Sequence, residues 1–585
     1  MKFRLLCAAL VLTLACAAGY AREWNVADNG AVADQKTDCT AAFQKTLDAA
    51  AKAGGGVVNI PAGRFRINGN LSVAAGVTLR GSSGTTPFVG WDELDKTEGT
   101  VLLAYAGRGS NTGEPFIRLA GNAATIQAIM VIYPEFKRTD VPPIPYPPCI
   151  ASQHTNNIAI LDVNIVNPYE GIRLTNAHRH LLRNVQGYPS WRGLYVDECY
   201  DIGRVENIHF WPFGIPYHTG DPFSVWVNRN GTAFEFARTD WQYVTNTFAF
   251  GYGVGYKFSE SEHGACNGQF LGIGADSCRR AIMAEQVPSF GILITNGEFV
   301  GQWESKDSRG VEVGPKCTGK VSLMNCSFWG PFENCVWMRA PGGQFTAIGC
   351  NFVDWDISKK GSPAVAIDAG RAIVQANTFL AAGTHVRIAK PTASAIVTAN
   401  QARGGVVISN SAGRRAMIRD NETPAVVYSR AAKEYYTLMI GSENDQQVIK
   451  SWHGEETAHE WNNKGTKRWS TRGSQLLLPV LPGREYTLTV DVHVPKYAVD
   501  PGAGLYIGKR QIVRFAKDGT ARLTGVIPAS KADRVVLDVK CKIWVPKDVM
   551  PDSGDTRELG VAVRSITLKA KGSTAKRPFN GNTGE

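Results

Sequence analysis

The chain has 585 residues, 44% apolar and 20% charged, with a formal net charge of +11. That length admits two or more domains or one extended repeat, and no run of about 20 apolar residues follows residue 21, which argues against a membrane span. The basic balance suits anionic partners, which outside the cell are often acidic polysaccharides. No basic run with interleaved aromatics appears, so nucleic acid is not expected as a partner.

In chain order, residues 1–21 come first. Lys2 and Arg4 precede an apolar stretch, Leu5 to Ala18, and Gly19-Tyr20-Ala21 offers a cleavage site. This pattern predicts a signal peptide and a secreted, periplasmic or cell-surface protein. Leu14-Ala15-Cys16 opens a second reading, a lipid anchor at Cys16. Ten cysteines follow residue 21, none in a CxxC pair, so a zinc knuckle is not expected.

The segment Asp38 to Gly56 predicts one helix. Asp38 or Thr40 caps it, Phe43, Leu47 and Ala50 share a face, and Gly54 to Gly56 end it. The short strands VVNI, PAGRFRI and GVTLRG follow. From about Ile150 one motif recurs: a small residue, then alternating apolar positions. Examples are Gly171-Ile172-Arg173-Leu174-Thr175, Gly193-Leu194-Tyr195-Val196-Asp197, Gly214-Ile215-Pro216-Tyr217-His218 and Ala233-Phe234-Glu235-Phe236-Ala237. The series runs on to Thr384–Ile388. A second motif keeps time with it, ending at Phe270, Phe299, Phe328, Phe352 and Phe379. A period in the twenties with short strands and Gly/Asn turns means a solenoid. The regular Leu ladder of leucine-rich repeats is absent, and a β-helix with one coil per repeat fits.

The stretch Asn25 to Gly81, from NVADNGAVADQKTDCTAAFQKTLDAAAKAGGG to GVTLRG, resembles the opening of the pectate-lyase superfamily, with its rhamnogalacturonase- and epimerase-like members. The resemblance implies an all-β, right-handed parallel β-helix over residues 22–428, with an N-terminal capping helix, that acts on polysaccharide. The superfamily includes hydrolases, lyases, epimerases and non-enzymatic spikes, so the fold does not name the reaction. This sequence lacks the NTD, DD and GHG signature of polygalacturonases, of which Glu262-His263-Gly264 is the closest echo. It also lacks an RxPxxR lyase signature. Residues 429–575 lose the coil period and alternate as strands between turns, which predicts a C-terminal β-sandwich; by analogy, such sandwiches appended to β-helix enzymes often resemble carbohydrate-binding modules. The tail, residues 576–585, is expected to be loose.

The outward positions of the recurring strand place chemistry on one face. Asp197, His218, Glu235, Lys257, Glu285 and Glu312 are the candidate catalytic residues. Glu285 and Glu312 fall roughly 8 Å apart at the backbone, inside the span of about 6.5–9.5 Å that inverting hydrolysis wants. Alternatively, Lys257 or His218 takes the C5 proton of a uronate while Arg339 or Lys257 holds its carboxylate. Trp191, Trp211, Trp303, Trp329 and Trp355 recur in one slot before the strand and predict an aromatic rim for sugar rings, with Trp337 and Arg339 beside it. Arg238, Asp240, Trp241, Glu260, Glu262 and His263 are candidates to complete the cleft. Carboxylates on this face offer oxygen ligands for Ca²⁺, but no Ca²⁺ loop signature appears. No cofactor or metal is expected.

Three readings follow. The first is a glycoside hydrolase on a uronate-containing or other plant or algal polysaccharide, with Glu285 as acid and Glu312 or Glu235 as base or nucleophile. The second is a lyase or epimerase using His218 or Lys257. The third is a non-catalytic glycan-binding surface protein.

Overall fold

The computed structural model describes residues 23–83, 96, 98–212, 220–303, 305–422, 434–442, 445 and 448–582. Residues 1–21 with Cys16, and Gly214 to His218, lie outside the described residues. The chain divides into two compact units, Met1–Phe332 and Glu333–Glu585.

In the first unit, the predicted helix spans Thr40–Lys52 and buries Phe43, Thr46, Leu47 and Ala50. Asp38 Oδ1 accepts from the Thr40 amide at 3.0 Å, and Gly54 to Gly56 take positive φ after the last turn. Parallel strands follow, one per coil on each wall. One wall consists of Leu71–Val73, Ile117–Leu119, Ile150–Asn156, Glu170–His178, Arg192–Asp197, Thr232–Phe236, Val254–Phe258, Arg280–Ala284 and Arg309–Val313, each paired with the next.

The register explains the motif. Ile172, Leu194, Phe234, Tyr256, Ile282 and Val311 align across coils and are fully buried. Phe234 and Tyr256 stack at 4.8 Å, close to the spacing of adjacent strands. The small residue before each is required by packing. A Cβ on Gly193 would lie 2.3 Å from the Ala233 carbonyl oxygen, and one on Gly171 would lie 2.4 Å from that of Gly193.

One expected coil is not in this wall. Arg192–Asp197 pairs directly with Thr232–Phe236, so Tyr195 lies beside Glu235. The stretch Gly214 to His218 imitates the motif but contributes no described strand between them. A helix, Pro222–Asn230, is inserted instead. Asp221 accepts from the Ser224 amide at 2.9 Å and Pro222 begins the helix, where its missing N–H costs nothing.

The second unit holds further parallel strands in coil style, Asn334–Met338, Val365–Ile367, Val386–Ile388 and Ile408–Asn410. A buried ladder runs through it: Asn377 Nδ2 donates to Asn400 Oδ1 at 2.9 Å, and Asn400 Nδ2 to Asn421 Oδ1 at 2.8 Å. From Tyr435 onward pairing becomes mainly antiparallel. Ile449–Thr457, Thr466–Pro479, Arg534–Lys540, Gly504–Ile507 and Arg510–Arg514 form one arm, and Gly519–Ile527, Tyr486–Val494, Ala562–Ala570 and Tyr435–Met439 the other. Both arms contribute to one apolar core that includes Leu476, Leu537, Leu488 and Ile566. Part of the tail is bonded to this unit. Phe579 pairs with Tyr436, and the Asn582 amide group bonds the Met439 backbone in both directions, at 2.6 and 3.0 Å.

Candidate functional site

On the outward side of the first unit's wall, charges of opposite sign alternate from coil to coil. Glu170, fully buried, accepts from Arg173 Nε at 3.0 Å and from Arg192 Nη2 at 2.7 Å. Arg192 reaches on to Glu235 at 3.4 Å. Lys257 Nζ lies 3.4 Å from Glu235 and 3.4 Å from Glu285. Glu285 ends this ladder as its most open carboxylate, with 44% of its side chain exposed.

Arg192 is held by more than charge. Its guanidinium lies 4.1 Å from the Tyr195 ring centre and 4.7 Å from that of Trp191. Trp191 stacks on Tyr169 at 5.4 Å, and Trp226 of the inserted helix leans on Tyr169 at 6.5 Å. All three rings are half-buried, so they make an aromatic shoulder beside the ladder.

Below the ladder, Asp197 is buried and saturated with donors. The Glu198 and Arg238 amides donate to Oδ1 at 2.8 and 3.0 Å, Ser261 Oγ at 2.8 Å, and the Tyr195 hydroxyl reaches Oδ2 at 3.1 Å. Burial, with Asp197 and Glu235 nearby, raises the Tyr195 phenol well above its usual range. Tyr195 is therefore a neutral proton donor at neutral pH. Ser261 sits on a small hairpin, Glu260–Ser261 with Gly264–Ala265, which carries His263 to 3.6 Å from Glu198. Arg238 clasps Asp240 through two bonds, of 2.8 and 2.9 Å, which holds the Asp240 carboxyl below the usual range.

The structure thus brings together Asp197, Glu235, Lys257 and Glu285. Glu312 stands on the next coil, across from Met283, but is only 4% exposed. Arg280 Nε donates to it at 2.6 Å, and the same arginine holds Asp307 in the preceding loop. The expected open pair of Glu285 and Glu312 is corrected accordingly: the second carboxylate is committed to an arginine.

The tryptophans part company too. Trp191 flanks the ladder. Trp211 is half-buried against His209 and Phe250, at 5.5 and 6.0 Å. Trp355 is 3% exposed and packs on Phe379 and His385, so it belongs to the core and not to a rim. Trp303 follows, and Trp329 lies on, strands of the other sheet, away from the ladder. In the second unit, Arg339 lies over Trp337 at 4.4 Å, and Trp337 Nε1 donates to Asp368 at 2.8 Å.

Glu170, Arg192, Tyr195, Ser261 and Trp226 escaped selection from the sequence. Glu170 and Arg192 occupy one register column, two residues before the inward apolar position. The alternation of the recurring strand, which begins at the small residue, does not extend to that corner. Asp221-Pro222 is a helix-start signal from which the element carrying Trp226 could have been found.

The fold and this wall define a parallel β-helix with a charged, aromatic-edged outer face. Residues 24–186 match the family model described as rhamnogalacturonase A/epimerase, pectate lyase-like. Over those residues the chain is similar to the pectate-lyase-like family, and its paired parallel strands are those of a β-helix. It is 40% identical over 111 residues to mannuronan C5-epimerase AlgE5 of Azotobacter vinelandii, covering 17% of this chain and 11% of that protein. Alginate lyase 7 of the same organism is 37% identical over 111 residues, covering 17% and 13%. The chain spans about a tenth of the length of these curated relatives. Among solved structures, the A-module of the A. vinelandii epimerase AlgE6 is similar at 15% identity and a TM-score of 0.36, covering 69% of this chain and 97% of that one.

Proposed function

We propose that this protein is an exported polysaccharide-active enzyme that removes the C5 proton of a uronate, as an epimerase or a lyase. The observation that carries the reading is the neutral Tyr195 hydroxyl, fixed by Asp197, beside Arg192 and within two coils of Lys257. The names of its sequence relatives, epimerases and a lyase, point the same way.

In this mechanism Lys257 turns from Glu285 to the uronate carboxylate and Arg192 adds charge from the side. Glu285, freed and accessible, takes the C5 proton. The electron pair moves into the carboxylate, where the two cations stabilise it. Two outcomes are then open. Tyr195 protonates O4 as the C4–O4 bond breaks, leaving a C4–C5 double bond. Or the Tyr195 hydroxyl gives its proton to C5 from the opposite face, recovering one from solvent afterwards, and the sugar is inverted. Hydrolysis has less support, because the water-holding pair expected of Glu285 and Glu312 is interrupted by Arg280.

The test is incubation of the purified protein in D₂O with polymannuronate, alginate and polygalacturonate. Deuterium at C5, or absorbance near 235 nm from unsaturated ends, is the expected result. New reducing ends with neither signal would replace this reading by hydrolysis. Binding without any product would make the protein a non-catalytic glycan binder.

A further inference from the structure

The other sheet of the first unit carries a groove of about 440 Å³, within the size range of small-ligand sites. It forms where each coil turns a corner. Asn246 and Asn296 take left-handed φ values of 52° and 56° there, and Gly272 one of 62°. A Cβ on Gly272 would meet Asn246 Oδ1 at 2.9 Å, so glycine keeps this corner open.

Beyond the corner stand Phe248, Asp276, Glu298 and Trp329. Trp329 is 38% exposed, and its indole N–H donates to Glu298 Oε1 at 2.9 Å, which fixes ring and carboxylate together. Trp303 is 59% exposed and approaches the same turn, with its ring 3.7 Å from where a Cβ on Gly330 would stand. Asp276 is partly buried and accepts from Ser277 Oγ at 3.1 Å. Among the described residues, no Lys, Arg or His lines the groove.

We infer that this groove is a binding subsite for a neutral oligosaccharide, separate from the charged ladder. An exposed indole offers its face to the C–H surface of a pyranose ring. Carboxylates beside it accept hydrogen bonds from sugar hydroxyls. The same two carboxylates, with no cation among them, repel a uronate. Charge therefore separates the two walls: the ladder suits an anionic chain and the groove a neutral one. The inference does not depend on the chemistry proposed for the ladder.

Calorimetric titration of the full chain tests it, using β-1,4-linked hexasaccharides of glucose, mannose and xylose beside hexamers of mannuronate and galacturonate. At least one neutral hexamer is expected to bind. Trp329→Ala weakens that binding by about tenfold, Trp303→Ala and Glu298→Gln weaken it measurably, and Tyr195→Phe leaves it unchanged. Circular dichroism checks that each variant folds. Absence of binding by all three neutral hexamers would overturn the inference. So would an unchanged dissociation constant in both folded tryptophan variants, or a uronate hexamer whose binding depends on Trp329.

Discussion

The Tyr195 hydroxyl donates to Asp197 Oδ2 across 3.1 Å, from two residues away on the same strand. The other oxygen of Asp197 is held by two backbone amides and by Ser261 Oγ, so the acceptor cannot swing away without losing three bonds. Tyr195 is thereby positioned, and its raised pKa keeps it protonated. Tyr195→Phe keeps the ring beneath Arg192 and removes only the hydroxyl proposed as the acid. Turnover on a uronate polymer should fall about 10²- to 10⁴-fold, as for loss of a general acid, with little change in KM or melting temperature. Initial rates at 235 nm or by C5 deuteration, with a thermal melt, check this. Unchanged turnover would remove Tyr195 from the mechanism.

Glu312 separates two chemistries. Its carboxylate is buried and bonded to Arg280. In a two-carboxylate hydrolase, Glu312→Gln would abolish turnover in a stable protein. In the arrangement described here the loss falls on stability, because it leaves a partly buried guanidinium with one carboxylate fewer. Breaking such a pair costs about 3–5 kcal/mol, and Asp307, still bonded to Arg280, puts this case at the lower end. Chemical denaturation beside kcat per folded molecule gives the answer.

What the sequence made legible follows from backbone geometry. The small residue at Gly171 and Gly193 is dictated by the carbonyl of the next coil, and the alternation Leu194–Tyr195–Val196–Asp197 by the pleat, so both leave a trace in one coil's own residues. Asp197, Glu235, Lys257 and Glu285 were found by that trace. The rest depends on what covers a position, which alternation does not encode. Glu235 and Glu312 read alike, yet a loop bearing Asp307 and the corner residue Arg280 close over only the second.

Trp355 makes the same point measurable. It was read as a sugar platform, but it packs edge-on against Phe379 at 6.1 Å and His385 at 5.5 Å inside the second unit. Trp355→Ala should cost about 3–5 kcal/mol through the cavity it leaves, and should not alter affinity for any glycan in the folded protein. Urea denaturation and calorimetric titration together decide. A stable variant with weakened binding would restore the rim.

The last prediction concerns pH. His180 is fully buried, and its Nδ1–H donates to the Ala177 carbonyl at 2.8 Å while Nε2 faces the Gln242 amide at 3.4 Å. That is the bonding of a neutral imidazole, and burial pushes its pKa down to about 4 from the ordinary 6.5. Above pH 6.5 neither folded nor unfolded chain binds this proton, and the group adds no slope. Between 6.5 and 4 the unfolded chain takes the proton and the folded chain does not, so stability falls as pH falls. The slope approaches about 1.4 kcal/mol per pH unit and sums to about 3 kcal/mol. His180→Gln should lower stability at pH 7 but flatten the curve over that window. Denaturation midpoints of both proteins from pH 7.5 to 4 measure the difference, and parallel curves would mean that His180 is not the group that titrates.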